Sequence, residues 1–414
     1  MKNDIASLSK PLALRRSLSL PLITLYGIGT ILGAGIYVLV GKVAGVAGML
    51  TPLAFLLASI IAGFSAFSYA ELAARLPKSA SEAVYAQAGF GRPSLSLLIG
   101  LLMVLVGVVS SATLMHGFAG YLQVYVQWPD AGVILLMTLM LGAVVIWGVT
   151  QSALVAVIMT LFEIAGLVLI IWVAGDNFAE LPERLTELSP TAGPFVWYGV
   201  LLGAFIAFYA FIGFEDMVNV AEEVIDPSRN LPRAIILVLV SVTLFYLLVT
   251  LASVLTVPPE QLAQTDAPLA LVYAQATGRA PLFITLISLI SVLNGVLIQI
   301  IMASRVLYGL SRQGWLPARL GYVAERTRTP VLAIVVVVAA ILVFAWLLPL
   351  LSLAKLTSFV TLIIFTLMNV ALWRIKRRGD PDYQGFQVPL WVPTVGATVS
   401  LLLLVSQVYE FIMG

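Results

Sequence analysis

About eleven separate runs of near-twenty apolar residues lie along this chain, and they constrain its fold more than any motif does. The runs cover approximately residues 22–40, 50–73, 95–126, 133–148, 152–174, 195–220, 234–255, 282–310, 331–348, 353–373 and 390–412. A bilayer's hydrocarbon core is about 30 Å thick and a helix rises about 1.5 Å per residue, so each run is long enough to cross once. No water is available there to satisfy backbone N–H and C=O groups, so such crossings are helical. With 61% hydrophobic and 10% charged residues and a mean hydropathy of +1.06, a water-soluble core-and-surface protein is excluded. The expectation is an all-α integral membrane protein that forms a single transmembrane domain over residues 1–414.

The charges between the runs alternate. Basic residues collect at the start (Lys2, Lys10, Arg15, Arg16), between runs two and three (Arg75, Lys78, Arg92), and between six and seven (Arg229, Arg233). They recur between eight and nine (Arg305 to Arg328) and between ten and eleven (Arg374, Lys376, Arg377, Arg378), whereas Asp176, Glu180, Glu183, Glu187, Glu260 and Asp266 occupy intervening connections. By the positive-inside rule the N-terminus is cytoplasmic and Gly414 lies outside. A basic, uncleaved leader into the first run is expected to leave that run in the mature protein. The location expected is the cell inner membrane, multi-pass. Cysteine is absent, which removes thiolate metal ligands and redox dithiols. No cofactor and no nucleic-acid partner are expected; the bilayer and a small solute are.

Within the first run, Gly27, Gly29, Gly33 and Gly35 place four glycines in nine residues. Glycine loses the most backbone entropy in a helix and shields no amide, so the run is easy to break. Two readings stay open: Gly29 and Gly33 form a GxxxG packing spacing, or the helix is interrupted and its freed amides bind a ligand. The sixth run repeats the pattern, with Gly213 followed directly by Glu215 and Asp216. A carboxylate at bilayer depth costs about 2.5–3.5 kcal/mol on insertion scales, so these two should face water or a partner. Five crossings separate the two breaks, and an odd offset reverses direction. That spacing points to inverted repeats over 22–174 and 195–373, with 390–412 as an additional helix. Half-helix N-termini offering amides and freed carbonyls facing a cation suit an α-amino acid zwitterion.

Four stretches then carry a resemblance: 27–41 (GIGTILGAGIYVLVG), 69–77 (YAELAARLP), 208–235 (FYAFIGFEDMVNVAEEVIDPSRNLPRAI) and 304–317 (SRVLYGLSRQGWLP). In this order they resemble the amino acid, polyamine and organocation superfamily, in the bacterial branch similar to cationic amino acid transporters. The resemblance implies the LeuT fold, two inverted five-helix repeats plus one further helix, and secondary transport of amino acids by alternating access, with proton coupling or exchange. It also implies a carboxylate site on the backbone of Gly33, Ala34 and Gly35. The amine site falls on the carbonyls of Ile31, Tyr209 and Ile212, with Tyr209 as an aromatic gate and Ser111 as a side-chain contact. Most relatives have twelve spans, and this chain shows eleven.

Ion coupling is a further departure. Some proton-coupled members of the superfamily carry a lysine on span five in place of a sodium ion, whereas the aligned segment here offers Glu163. A lone glutamate in a span can load and release a proton, or order a neighbouring helix. Glu215 joins it as a coupling candidate. His116 in span three is read as a neutral imidazole bonded to a carbonyl, Asn294 as part of a polar helix face, and Glu222 and Glu223 as partners of Arg229 and Arg233. Residues 79–88 read as a short helix at the cytoplasmic interface.

Other functional classes fit less well. With one histidine, no cysteine and no HExxH motif, an intramembrane hydrolase lacks its chemistry, and a channel has no need of paired broken helices. A polyamine or organocation transporter and a non-transporting amino acid sensor remain as alternatives.

Overall fold

The computed structural model describes residues 14–123, 128–189, 194–265, 267–348, 350–379 and 383–413. Lys2, Lys10 and Asp266, which enter the charge pattern, and Gly414 lie outside the described residues. The first helices are α1 Leu20–Ala47, α2 Thr51–Arg75, α3 Ser81–Phe90, α4 Pro93–Gln123, α5 Asp130–Trp147 and α6 Val149–Val173. A short α7, Leu181–Arg184, precedes the sixth crossing, which is divided between α8 Pro194–Phe208 and α9 Phe214–Val218. There follow α10 Pro227–Thr256, α11 Pro259–Ala263, α12 Pro268–Thr277, α13 Leu282–Arg312, α14 Val331–Leu347, α15 Leu350–Arg378 and α16 Trp391–Met413. Every apolar run of the sequence is a helix or a broken pair of helices. Among the described residues, nine helices are long and apolar enough to cross a membrane, and Val331–Leu347 and Trp391–Val405 are shorter apolar helices.

Apolar residues cover these helices all round, so hydrophobicity alone cannot orient them. Small residues do. On α2, Ala54, Ala58, Ala62, Ala66 and Ala70 repeat every fourth position and are buried, with Ala54 against Gly203 of α8, while Ser59 and Gly63 beside that stripe meet Thr243 and Leu239 of α10. Ile60 and Phe67 on the opposite side point outward. At the centre α1 packs on α6, α8, α10 and α13, so the first broken crossing is walled by four others.

One expectation about position is corrected. The helix foreseen over 79–88 forms as α3, but Ser81 to Ala86 are buried under α4 and α15 rather than lying on an interface. Its weak amphipathicity agrees with this, since a helix packed on several sides needs no polar stripe.

A buried ionic knot closes the bundle near α3. Glu71 on α2 has no exposed surface, and its Oε1 accepts from Arg75 Nε at 2.9 Å and Nη2 at 2.7 Å. Lys376 Nζ of α15 lies 3.0 Å from both carboxylate oxygens, and the Val388 N–H ahead of α16 donates to Oε2 at 2.7 Å. The Arg75 guanidinium also stacks 3.7 Å from the centre of the Tyr383 ring. One carboxylate thus joins α2, α15 and the entry to α16. Removing one member of a buried, hydrogen-bonded ion pair costs about 3–5 kcal/mol, because the remaining charges stay buried without their partner. Glu71→Ala is therefore expected to lower the thermal midpoint of the detergent-solubilised protein strongly; an unchanged midpoint would contradict this role.

Candidate functional site

Two interrupted helices meet at the middle of the bundle. Inside α1 the backbone leaves helical geometry at Gly33 (φ 19°, ψ −148°). In the sixth crossing α8 ends at Phe208, a tight turn spans Tyr209–Phe211, Ile212 is extended (φ −70°, ψ 136°), and α9 resumes at Phe214 after Gly213 (φ 138°). That φ suits glycine alone, and a Cβ on Gly213 would lie 2.9 Å from Thr30 Cγ2 and 3.1 Å from Ile31 Cγ1. A Cβ on Gly35 would sit 3.3 Å from Ala210 Cα. The breaks therefore touch each other, with Thr30 and Ile31 against Gly213 and Gly35 against Ala210.

The freed carbonyls have a shared donor that sequence reasoning missed. In a continuous helix the Ile31 and Ala210 carbonyls would accept from residues 35 and 214. Here the Tyr246 hydroxyl of α10 lies 2.8 Å from the Ile31 oxygen and 2.9 Å from the Ala210 oxygen, sharing one proton between them. Phe55 and Phe211 hold the ring edge-on, with centroids 5.6 and 5.0 Å away. A carbonyl has two lone pairs, so Ile31 keeps one acceptor position for a ligand, as does Tyr209, whose carbonyl takes the Ile212 N–H at 3.3 Å. The one available signal for Tyr246 was a single hydroxyl-bearing ring in an apolar run.

The two carboxylates after Gly213 are already engaged. Glu215 Oε2 accepts the Gly213 N–H at 2.8 Å, which caps α9 from inside its own first turn. Asp216 Oδ2 accepts from Gln299 Nε2 of α13 at 2.8 Å. Ser111 lies on the face of α4 that meets α13, as its helical neighbours Gly107 and Leu114 do, and its hydroxyl is buried with no partner among the described residues.

Glu163 sits at a second junction, where α1, α6 and α13 converge. Its Oε1 accepts from Asn294 Nδ2 at 3.0 Å, and the same amide nitrogen lies 3.1 Å from Thr160 Oγ1. Tyr37 of α1 donates its hydroxyl to the Glu163 carbonyl at 3.0 Å. Gly29 makes the junction fit, since a Cβ there would lie 2.8 Å from Asn294 Nδ2 and closer still to Thr160. Among the described residues Glu163 Oε2, Asn294 Oδ1 and Ser291 Oγ are buried without a close hydrogen bond, with the Ser291 hydroxyl facing the Glu163 carboxylate. His116 is bonded as expected, with Nε2 2.8 Å from the Ala345 carbonyl.

Glu222 and Glu223 need a correction. Their partners are not Arg229 and Arg233, which are exposed on α10 beyond the turn at Asp226 (φ 48°). Glu223 instead pairs with the buried Arg305 of α13 (Oε1 to Nη2 3.1 Å), and Glu222 takes the Ser79 N–H at 3.2 Å and the Tyr308 hydroxyl at 3.4 Å. Burial raises the Glu223 carboxyl above the usual carboxylate range, and the Arg305 guanidinium lowers it part of the way back. The chain entering α1 adds backbone bonds here, from Ser17 and Leu18 N–H to the Glu223 carbonyl and from Ile225 N–H to that of Leu18.

Residues 18–413 match the family model of the amino acid permeases. The chain belongs to that family. The branched-chain amino acid permease of Bacillus subtilis (strain 168) is 29% identical over 411 residues, covering 93% of this chain and 86% of that one. The vacuolar cationic amino acid transporter 4 of Arabidopsis thaliana is 28% identical over 402 residues. That match covers 92% of this permease and 66% of the plant protein, so the permease spans about two-thirds of that relative. Among solved structures, the substrate-bound outward-open state of a Na+-coupled sialic acid symporter matches with a TM-score of 0.57 at 15% identity, over 92% of this chain and 89% of that one. The likeness establishes a shared fold. The permease is a multi-pass membrane protein with the LeuT fold, and its broken first and sixth crossings form the centre.

Tyr246→Phe tests the clasp between the breaks. It leaves two buried carbonyls without a donor, at about 1–3 kcal/mol for each group left unsatisfied. A fall in the thermal midpoint is expected, and an unaltered midpoint would mean that the carbonyls find other partners.

Proposed function

We propose that the permease carries neutral, apolar amino acids across the cytoplasmic membrane by alternating access, coupled to protons, with its N-terminus inside. The single observation that carries this reading is the contact between two interrupted crossings, Gly213 against Thr30 and Ile31 and Gly35 against Ala210. An α-amino acid presents an anion and a cation on adjacent atoms, and such a pair of breaks answers both. In this reading the amides of Gly33, Ala34 and Gly35 receive the carboxylate, the carbonyls of Ile31, Tyr209 and Ile212 receive the amine, Tyr209 covers the solute, and Ser111 contacts it from α4. The crossings divide into inverted repeats over 22–174 and 195–373, with 390–412 beside them.

Preference for an apolar side chain follows from the carboxylates. Glu215 Oε2 is bonded to the Gly213 amide and Asp216 Oδ2 to Gln299, so one oxygen of each is committed within the protein and both side chains are buried on the α9 side of the break. The name of the Bacillus subtilis relative agrees with that preference, and the name of the plant relative does not. Glu163 is assigned proton coupling because its second oxygen is buried without a close hydrogen bond at the junction of α1, α6 and α13.

Uptake by the purified permease in proteoliposomes tests both parts. Leucine, isoleucine and valine are expected to enter and to exchange in counterflow, faster with the outer medium acidic, while arginine and lysine are not. Counterflow of the cationic amino acids alone would overturn the side-chain preference, and absence of any counterflow would overturn transport. Glu163→Gln is expected to retain counterflow and to lose acceleration by the pH gradient. An unchanged pH dependence would remove Glu163 from coupling.

A further inference from the structure

The helix α3 is tied to the far half of the broken sixth crossing by a small polar network. The Ser81 N–H donates to Asn219 Oδ1 at 3.0 Å, and the Ser81 hydroxyl donates to the Val218 carbonyl at 2.5 Å. Asn219 Nδ2 in turn donates to Glu82 Oε2 at 2.8 Å and to the Glu215 carbonyl at 3.2 Å. Glu215 bonds the Gly213 amide, so the chain of contacts runs from α3 to the break itself. Glu82 is 1% exposed, and its Oε1 has no partner among the described residues. Beside it the Tyr69 hydroxyl is also buried and unpartnered, with its ring edge-on to those of Tyr85 and Phe214 at 6.3 and 5.5 Å.

No cationic side chain pairs with Glu82 among the described residues. The charged group that acts on it is Glu215 of α9, with Asp216 beyond. The α15 residues Arg374 and Arg378 meet α3 at its other end, over the Phe90 ring and at the Ala88 carbonyl. Ser96 of α4 bonds Gln87, and Arg92 just ahead of α4 is exposed. On α13, Arg305 is paired with Glu223 and Tyr308 reaches Glu222. An ionised carboxylate held by the Asn219 amide and its own backbone N–H, with no cation, is costly to bury, by several kcal/mol on general grounds. Burial accordingly pushes the Glu82 carboxyl up to about 8. A glutamine could make the same bond to Asn219 without a titratable group. The glutamate adds only the capacity to release a proton.

We propose that Glu82 is a proton-binding latch on the cytoplasmic gate: protonated, it stays buried and holds α3 against α9, and when the gate opens its carboxyl is hydrated and gives its proton to cytoplasmic water. This rests on the alternating-access reading with the N-terminus inside, and it adds a proton site about which neither Glu163 nor the two breaks say anything. Closed, burial holds the group up at about 8; open to water, it returns toward the ordinary carboxylate value of about 4.5. Because the closed form binds the proton more tightly, its advantage is complete below the open-state value and is lost as pH rises through the closed-state value. Each pH unit between them shifts the closed-to-open ratio by at most about tenfold.

The permease contains no cysteine, so a single thiol reports on the gate without background. Ala221, buried in the turn after α9, is a suitable place. The measurement is the alkylation rate of the Ala221→Cys permease in nanodiscs at pH 6 and pH 8, divided by the rate for the same protein in SDS to remove the thiol's own pH dependence. The expected result is at least about a fivefold rise from pH 6 to pH 8 with Glu82 present, and less than about a twofold change when Glu82→Gln is added. Equal pH dependence in the two proteins, or none in either, overturns the proposal, since a purely structural glutamate would leave the slope unmoved by Glu82→Gln. Asn219→Ala, which cuts the same tie, should raise the pH 6 rate to that seen at pH 8; an unaltered rate overturns the latch. No substrate enters these measurements, so they can succeed where amino acid counterflow fails, and the reverse.

Discussion

The permease is organised by the need to satisfy backbone polar groups where water is scarce. A helix broken at mid-depth leaves N–H and C=O groups without partners, and each unsatisfied group in an apolar setting costs several kcal/mol. Placing the two breaks against each other confines that problem to one location. Tyr246 then clasps a carbonyl from each side, so the first and sixth crossings are coupled through one hydroxyl.

The surrounding packing keeps that arrangement in register. Gly29 brings α1 against Thr160 and Asn294, and the resulting junction holds Glu163 from three helices. On the other half of the sixth crossing, Asn219 links Glu82, Ser81 and Glu215, while Glu223 is joined to Arg305 and to the backbone of the chain entering α1. A displacement of α9 would strain these contacts together. This is the geometry expected of a two-state element, because packed polar networks rearrange in discrete steps rather than by continuous deformation.

Much of this was legible before any coordinates. Runs of apolar residues located the crossings to within a few positions, since the bilayer demands length and helicity together. A glycine cluster located the first interruption, and Gly213 followed directly by Glu215 and Asp216 located the second. The two readings of the first cluster turn out to apply to different residues: Gly29 serves close helix packing, as a GxxxG spacing implies, and Gly33 is where the helix breaks. Pairings were less legible. Glu222 and Glu223 find Ser79, Tyr308 and Arg305 rather than the arginines nearest in sequence, because the turn at Asp226 carries Arg229 and Arg233 out to the surface.

The sequence by itself determined that this chain crosses a membrane many times, which crossings are weak enough to break, and which ionisable groups lie in them. Each of those follows from local chemistry: hydropathy, glycine entropy and the expense of a carboxylate in hydrocarbon. Only the tertiary structure decided that Tyr246 clasps the breaks, that Glu215 and Asp216 are already engaged, and that α3 is buried with Glu82 against Asn219. In an apolar bundle every helix face is compatible with its neighbours, so hydrophobicity does not choose between pairings. Contact geometry does, through where small residues permit approach and where a lone polar group can find its partner.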